Sequence, residues 1–99
     1  PSEGFDCSGF VRYVFGQHGM SLPGGVRDLY VHGRGIPRSA LRAGDLVFFR
    51  TITTGASHVA IALGTEEFIH APSGRGEVRV DSLRSPYWSN RYIGARRVL

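Results

Sequence analysis

The stretch EGFDCSGFVRYVFGQHG, residues 3–19, predicts the first helix and places the only cysteine of the chain at its start. Asp6 is a favoured N-cap residue, so Cys7 would be the first helical residue. Phe5 and Phe10 would then flank the cap as a hydrophobic staple. We therefore expect a helix that packs on a core and presents Cys7 at its amino end. Apolar residues recur at the helical spacing, namely Phe10, Val11, Val14 and Phe15.

After this helix the pattern changes from loop to strand. Residues 22–44 are rich in glycine and proline and predict loops, with one short helix in VRDLYVHG (26–33). Short β-branched and aromatic runs predict strands, and PYWSNRY (86–92) predicts a helical turn. A helix followed by successive strands predicts an α+β fold, with the helix on a largely antiparallel sheet of about five or six strands. The runs are DLVFFRT (45–51), HVAIAL (58–63), EFIHA (67–71), EVRV (77–80) and IGARRVL (93–99).

Length and composition fit one domain. The chain has 99 residues, 41% of them hydrophobic, which is enough for a single core. No apolar run approaches the roughly 18 residues of a membrane span, and residues 1–9 lack the pattern of a signal peptide. The formal net charge is +4, and all twelve basic residues are arginine. These arginines are spread along the chain without a nucleic-acid motif, so we expect a basic surface and no nucleic-acid partner.

The position of Cys7 has opposing effects on its charge. The thiolate is the nucleophilic form of cysteine, and the unpaired N–H groups and dipole of a helix start favour that anion. The carboxylate of Asp6 acts against it, because a neighbouring negative charge raises a thiol pKa. We expect the helix start, with help from an imidazole, to make the sulfur anionic at neutral pH.

His58 and His70 are the candidate bases. They lie twelve residues apart on successive predicted strands, with Gly64 and Thr65 near the midpoint. A hairpin that turns there brings the imidazoles onto neighbouring strands, but whether they share a face depends on the register, which the sequence leaves open. If they meet, one imidazole can take the thiol proton while the other fixes its tautomer and orientation.

Five segments carry a family resemblance along nearly the whole chain: GFDCSGFVRYVF, LRAGDLVFF, SHVAIALG, FIHAPS and PYWSNRYIGARRVL. In this order and combination they resemble the NlpC-type (NlpC/P60) papain-like cell-wall cysteine peptidases, and the last segment resembles murein endopeptidases of Gram-negative bacteria. The resemblance implies a single domain over residues 1–99 with a reduced papain-like fold. It also implies hydrolysis of peptide bonds in peptidoglycan stem peptides, at D-Glu–diaminopimelate or D-Ala–diaminopimelate.

The resemblance also implies roles for individual residues. Cys7 would be the nucleophile, His58 the general base and His70 the third, orienting residue. Asp6 and Ser8 would line the substrate cleft. The resemblance implies neither a metal nor another cofactor. It further implies action in the cell envelope, whether in the periplasm, at the outer membrane or after secretion to the wall.

Other interpretations remain open at this point. The domain could be a non-catalytic wall-binding module of the same fold, or a related papain-like amidase or acyltransferase. Cys7, His58 and His70 could instead bind zinc with Asp6, although their spacing matches no common zinc motif. Members of the family carry a tyrosine-containing segment before the cysteine motif, so we expect that segment, and any membrane anchor, upstream of Pro1.

Overall fold

The structure is a computed structural model that describes residues 6–52, 55–72 and 77–99. Its helices are α1 (Cys7–Gln17), α2 (Val26–Tyr30) and α3 (Pro86–Ser89), and a short 3-10 helix covers Arg38–Ala40. Its strands are β1 (Arg34–Gly35), β2 (Leu46–Phe49), β3 (His58–Ala62), β4 (Glu67–His70), β5 (Arg79–Ser82) and β6 (Tyr92–Arg97). No helix in the described ranges has the length and apolar character needed to span a bilayer.

One sheet organises the chain, with the strand order β1-β6-β2-β3-β4-β5 and every neighbouring pair antiparallel. The predicted α+β class, with a helix packed on an antiparallel sheet, is confirmed. The two-residue strand β1 was not predicted, because it is too short to show a pattern. Gly33 leads into it with φ +79°, and a Cβ there would lie 2.6 Å from the carbonyl oxygen of Arg97. Glycine therefore permits the close approach of β1 to β6.

Two apolar clusters cover the two faces of the sheet. On one face α1 buries Phe10, Val11 and Phe15 against Val59 and other residues of the central strands. On the other face Phe49, Phe68 and Leu83 form a second cluster with α3 packed on it. Strand β2 lies between β3 and β6, so all four of its residues are buried. This explains why its sequence is continuously apolar instead of alternating.

The start of α1 follows the sequence prediction. Asp6 is the N-cap, and its side chain accepts a hydrogen bond of 2.6 Å from the backbone N–H of Gly9. Cys7 is the first residue of the helix, as predicted. A Cβ on residue 9 would lie 2.7 Å from the Asp6 carboxylate, so glycine there leaves room for the cap. The predicted staple involves Phe5, which lies outside the described residues.

The strand boundaries differ from the predictions by one or two residues. Strand β2 begins after Asp45, whose carboxylate accepts from the backbone N–H of Arg42 at 2.9 Å and pairs with Arg97 at 2.7 Å. This residue therefore closes a turn and does not open the strand. Strand β5 covers 79–82 where the sequence predicted 77–80.

Candidate active site

The register between β3 and β4 brings the two predicted imidazoles together. Ile61 pairs with Ile69 and Ala62 with Phe68. Side chains alternate along a strand, so His58 and His70 lie on the same face, opposite to Ile61. His58 Nε2 and His70 Nδ1 are 2.7 Å apart, within hydrogen-bonding distance. The structure thus resolves the register that the sequence left open.

Asp81, which was not predicted as a site residue, extends the line of polar side chains that starts with His58 and His70. Asp81 on β5 accepts a hydrogen bond from His70, with 2.7 Å between Oδ2 and Nε2. His70 pairs with Arg79 across the strands, and alternation places Asp81 on that same face. The only signal in the sequence was an acidic residue directly after the predicted strand 77–80. It became informative only once the register between β4 and β5 was known.

The contacts fix the tautomers of the two neutral imidazoles. A carboxylate can only accept, so Asp81 requires the proton of His70 on Nε2. Nδ1 of that ring is then an acceptor, and His58 must donate to it from Nε2. The remaining nitrogen of His58, Nδ1, therefore carries a free lone pair. Since protein partners occupy both nitrogens of His70, this ring has no lone pair free for a metal ion.

Aromatic rings enclose the imidazole pair. Trp88 stacks on His58 with ring centroids 5.6 Å apart and packs its edge against His70 at 5.0 Å. His70 is fully buried, and His58 is 6% exposed. Burial lowers the pKa of His58 to about 4, and repulsion by a positive charge on His70 adds to this effect. Burial also lowers the pKa of His70, although Asp81 acts in the opposite direction. Both rings are therefore neutral at pH 7.

Cys7 lies at the end of α1 that approaches the start of β3. Burial raises the pKa of its thiol. The backbone N–H groups of Val59, Ser8 and Cys7 itself oppose this rise, whereas the charge of Asp6 adds to it. The predicted anionic sulfur at neutral pH is thus wrong for the resting protein, because burial outweighs the helix start. The contact with Val59 places the sulfur next to the residue that follows His58.

The thiol of Cys7 contacts the backbone of Val59, the residue after His58. Across the described ranges, the contacts of His58 are with other rings and with His70, and none is a hydrogen bond to the thiol of Cys7. Catalytic hydrogen bonds are often long in proteins without substrate and shorten when it binds. The arrangement therefore supplies a buried base beside a thiol, with the proton still on sulfur.

The other predicted site residues lie at the same helix end. Asp6 is exposed, and its carboxylate is engaged by the backbone of Gly9. Ser8 is buried, with 8% exposure. Their contact with a substrate stays a prediction. Among the described residues, no three His, Cys, Asp or Glu side chains are grouped so that they could hold a metal ion.

Two adjoining cavities open beside the imidazole pair. One, of about 420 Å³, includes His58, Asp81 and Trp88 in its wall. The other, of about 490 Å³, includes Arg50 and Arg91. Thr51 and Ile52 line both cavities, so the two lie next to each other on this surface.

Residues 1–97 match the NlpC/P60 family. The chain is 45% identical over 98 residues to a protein of Escherichia coli (strain K12) named murein DD-endopeptidase MepS/murein LD-carboxypeptidase, covering 98% of this chain and 51% of that protein. It therefore spans about half the length of this relative. A crystal structure of an NlpC/P60 family protein from Bacillus cereus ATCC 10987 has a TM-score of 0.87 at 35% identity, covering 97% of this chain and 32% of the other.

One further structural neighbour is described as non-catalytic. RipD from Mycobacterium tuberculosis has a TM-score of 0.79 at 29% identity, covering 97% of this chain and 68% of its own. It is described as a non-catalytic NlpC/p60 domain protein with an adaptation to peptidoglycan-binding function. This fold is thus found in proteins named as peptidases and in a protein described as a binding module.

Proposed function

The chain belongs to the NlpC/P60 family, and from this premise we propose that it is a cysteine endopeptidase that hydrolyses peptide bonds in peptidoglycan stem peptides. Cys7 is the nucleophile, His58 the base and His70 the residue that orients the base. The observation that carries the proposal is the His58–His70 contact of 2.7 Å, located beside the helix start that bears the only cysteine. We place its action in the cell envelope, where this substrate lies.

The tautomers define the role of each ring nitrogen of His58 in the proposed reaction. Nδ1 of His58 takes the proton of the thiol, and the sulfur of Cys7 attacks the scissile carbonyl. Backbone N–H groups at the start of α1, that of Cys7 among them, stabilise the oxyanion. The imidazolium of His58 returns its proton to the leaving amine, and water then hydrolyses the thioester. Each step needs only protein groups and water.

The raised thiol pKa indicates at which step of the proposed reaction Cys7 would lose its proton. In the resting protein Cys7 is a thiol and His58 is neutral. Transfer of the proton separates charge in a buried place, which is unfavourable until the developing oxyanion and the backbone amides are in position. Proton transfer therefore accompanies the attack on the bound substrate.

The charge of the adjoining cavity supports an anionic substrate. Stem peptides carry carboxylates on D-Glu and diaminopimelate, and guanidinium groups bind carboxylates in bidentate geometry. Arg50 and Arg91 lie in the wall of the cavity next to the one at His58, and the two cavities share Thr51 and Ile52. We assign the carboxylate contacts of the substrate to these two arginines.

Digestion of purified sacculi tests the proposal. The wild-type protein should release soluble muropeptides, and Cys7→Ala and His58→Ala should not. His32→Ala, which changes an exposed histidine remote from the pair, is the matched control and should retain activity. Mass spectrometry of the fragments identifies the cleaved bond as D-Glu–diaminopimelate or D-Ala–diaminopimelate. Equal release by the wild type and Cys7→Ala would refute the assignment.

A non-catalytic wall-binding function is the second candidate. The neutral, partly buried thiol of Cys7 and the likeness to a domain described as non-catalytic favour it. It predicts that the protein sediments with sacculi and releases nothing from them, and that Cys7→Ala binds as well as the wild type. Cleavage that depends on Cys7 would exclude it.

A further inference from the structure

We propose that Asp81 is a positioning residue that acts on the base through His70, and that Arg79 attenuates this action. The inference rests on the proposed function, since it assumes that His58 is the base. Asp81 contacts neither the thiol nor the lone pair of His58. Its effect must therefore pass through the two hydrogen bonds of 2.7 Å that join the three residues.

The first step concerns the tautomer. An imidazole can serve as the third residue only when its Nδ1 accepts from His58, which requires its proton on Nε2. That proton would be buried and unpaired without Asp81, because His70 is fully buried. In the opposite tautomer Nδ1 of His70 would carry an N–H, which would face the N–H of His58 unless the proton of His58 moved to Nδ1, where the lone pair is needed. Asp81 thus selects the tautomer in which His58 can act as a base.

The second step concerns charge. When His58 accepts the thiol proton, the positive charge lies among the aromatic rings of Trp88, Phe49 and His70. Water cannot stabilise it well there, so a carboxylate one ring away becomes important. The side chain of Asp81 is 19% exposed and is directed towards this buried pair. Its charge favours the imidazolium that the reaction forms.

The third step concerns Arg79, which shares the carboxylate. Its Nε lies 3.0 Å from Oδ2 of Asp81, and its Nη2 lies 3.3 Å from Oδ1. The positive guanidinium partly offsets the effect that the negative charge of Asp81 has on His70. Because the side chain of Arg79 is 57% exposed, solvent screens it more than the buried side of the carboxylate. Arg79 therefore weakens the effect of Asp81 without abolishing it.

Among the described residues, strands β3, β4 and β5 supply the imidazole pair and charged groups that face it, and helix α1 adds the neutral thiol of Cys7 beside Val59. Strand β3 contributes His58, strand β4 contributes His70, and strand β5 contributes Asp81 and Arg79. Helix α3 contributes Trp88, which is uncharged. Removal of the carboxylate and removal of the guanidinium must then move the protonation of the pair in opposite directions.

The test compares Asp81→Asn, Asp81→Ala and Arg79→Gln. The amide oxygen of asparagine still accepts from His70, so this variant keeps the tautomer and loses the charge. We expect its kcat on soluble muropeptides to fall about tenfold with little change in KM, because a neutral hydrogen bond is roughly half as strong as a charged one. We expect the acid limb of its pH profile to move to lower pH. Arg79→Gln should move that limb to higher pH.

Imidazole ¹⁵N NMR provides a measurement that needs no substrate. Asp81→Ala should lose the Nε2–H tautomer of His70, and the titrations of Asp81→Asn and Arg79→Gln should shift oppositely. Glu67→Gln, at an exposed carboxylate on β4, is the matched control and should shift neither ring. Shifts of the same sign, or no shift in either variant, would overturn the inference even if Asp81→Ala did not fold. If the wild type fails to cleave sacculi, the proposed function fails, and the titrations still decide the coupling.

Discussion

Lowering the pH from 7.5 to 5 should destabilise the protein by about 2 kcal/mol through His58. Burial, and then the charge of His70, lowers the pKa of His58 from 6.5 to about 4 in the folded protein. Between these values the unfolded chain binds more protons than the folded one, so the free energy of unfolding falls as the pH drops. The contribution of His58 is complete above about pH 7 and is lost through 6.5 towards 4, at roughly 1.4 kcal/mol per pH unit.

Urea denaturation followed by far-UV circular dichroism measures this loss at the two pH values. His58→Gln removes the titrating group, so its free energy of unfolding should fall by about 2 kcal/mol less than that of the wild type. His32→Gln removes an exposed imidazole and should behave like the wild type. Hydrogen bonds and charge lower the pKa of Asp45 against the effect of burial, so this carboxylate stays ionised at pH 5. An equal loss in the wild type and His58→Gln would show that the imidazole is not buried in neutral form.

Substitutions at three residues test other parts of the structure through the free energy of unfolding in urea at pH 7.5. Asp45→Ala should lower stability, because it removes the carboxylate that pairs with Arg97 and accepts from the backbone N–H of Arg42; unchanged stability would contradict the ion pair. Asp6→Ala should cost about 1 kcal/mol by removing the cap of α1, and Asp6→Asn should cost much less. Tyr92→Phe should leave stability unchanged or raise it by about 1 kcal/mol, since this buried hydroxyl has no hydrogen-bond partner among the described residues; a large loss would reveal one.

Local signals made most of the fold predictable. The cap at Asp6 and the apolar spacing after it depend on residues within a few positions of one another, so α1 begins where the sequence predicts. The strands β2 to β4 are short and rich in β-branched or aromatic residues, which is also a local property. The boundary at Asp45 could not be predicted, because this side chain pairs with Arg97, 52 residues away. The strand β1 exists only through its pairing with β6.

The site shows the same division between local and distant information. The chemical types of Cys7, His58 and His70 marked them as candidates, but their meeting depended on the register of β3 against β4. Asp81 was missed because its role needs a second register, that of β4 against β5. A shift of one residue in either pairing would turn His58, His70 or Asp81 to the opposite face of the sheet. Sequence patterns identify the candidate groups, and strand pairing decides which of them are connected.

The charge of Cys7 shows how packing can reverse a correct local inference. The backbone amides at the helix start favour the thiolate and Asp6 opposes it, both as the sequence suggests, yet burial of the sulfur outweighs them. This burial comes from the contact of α1 with the strand that contains Val59, so it has no local signature. Oxidation of cysteine follows thiolate character and exposure. A protonated, partly buried thiol is therefore less open to oxidation than an exposed thiolate at the same helix start would be.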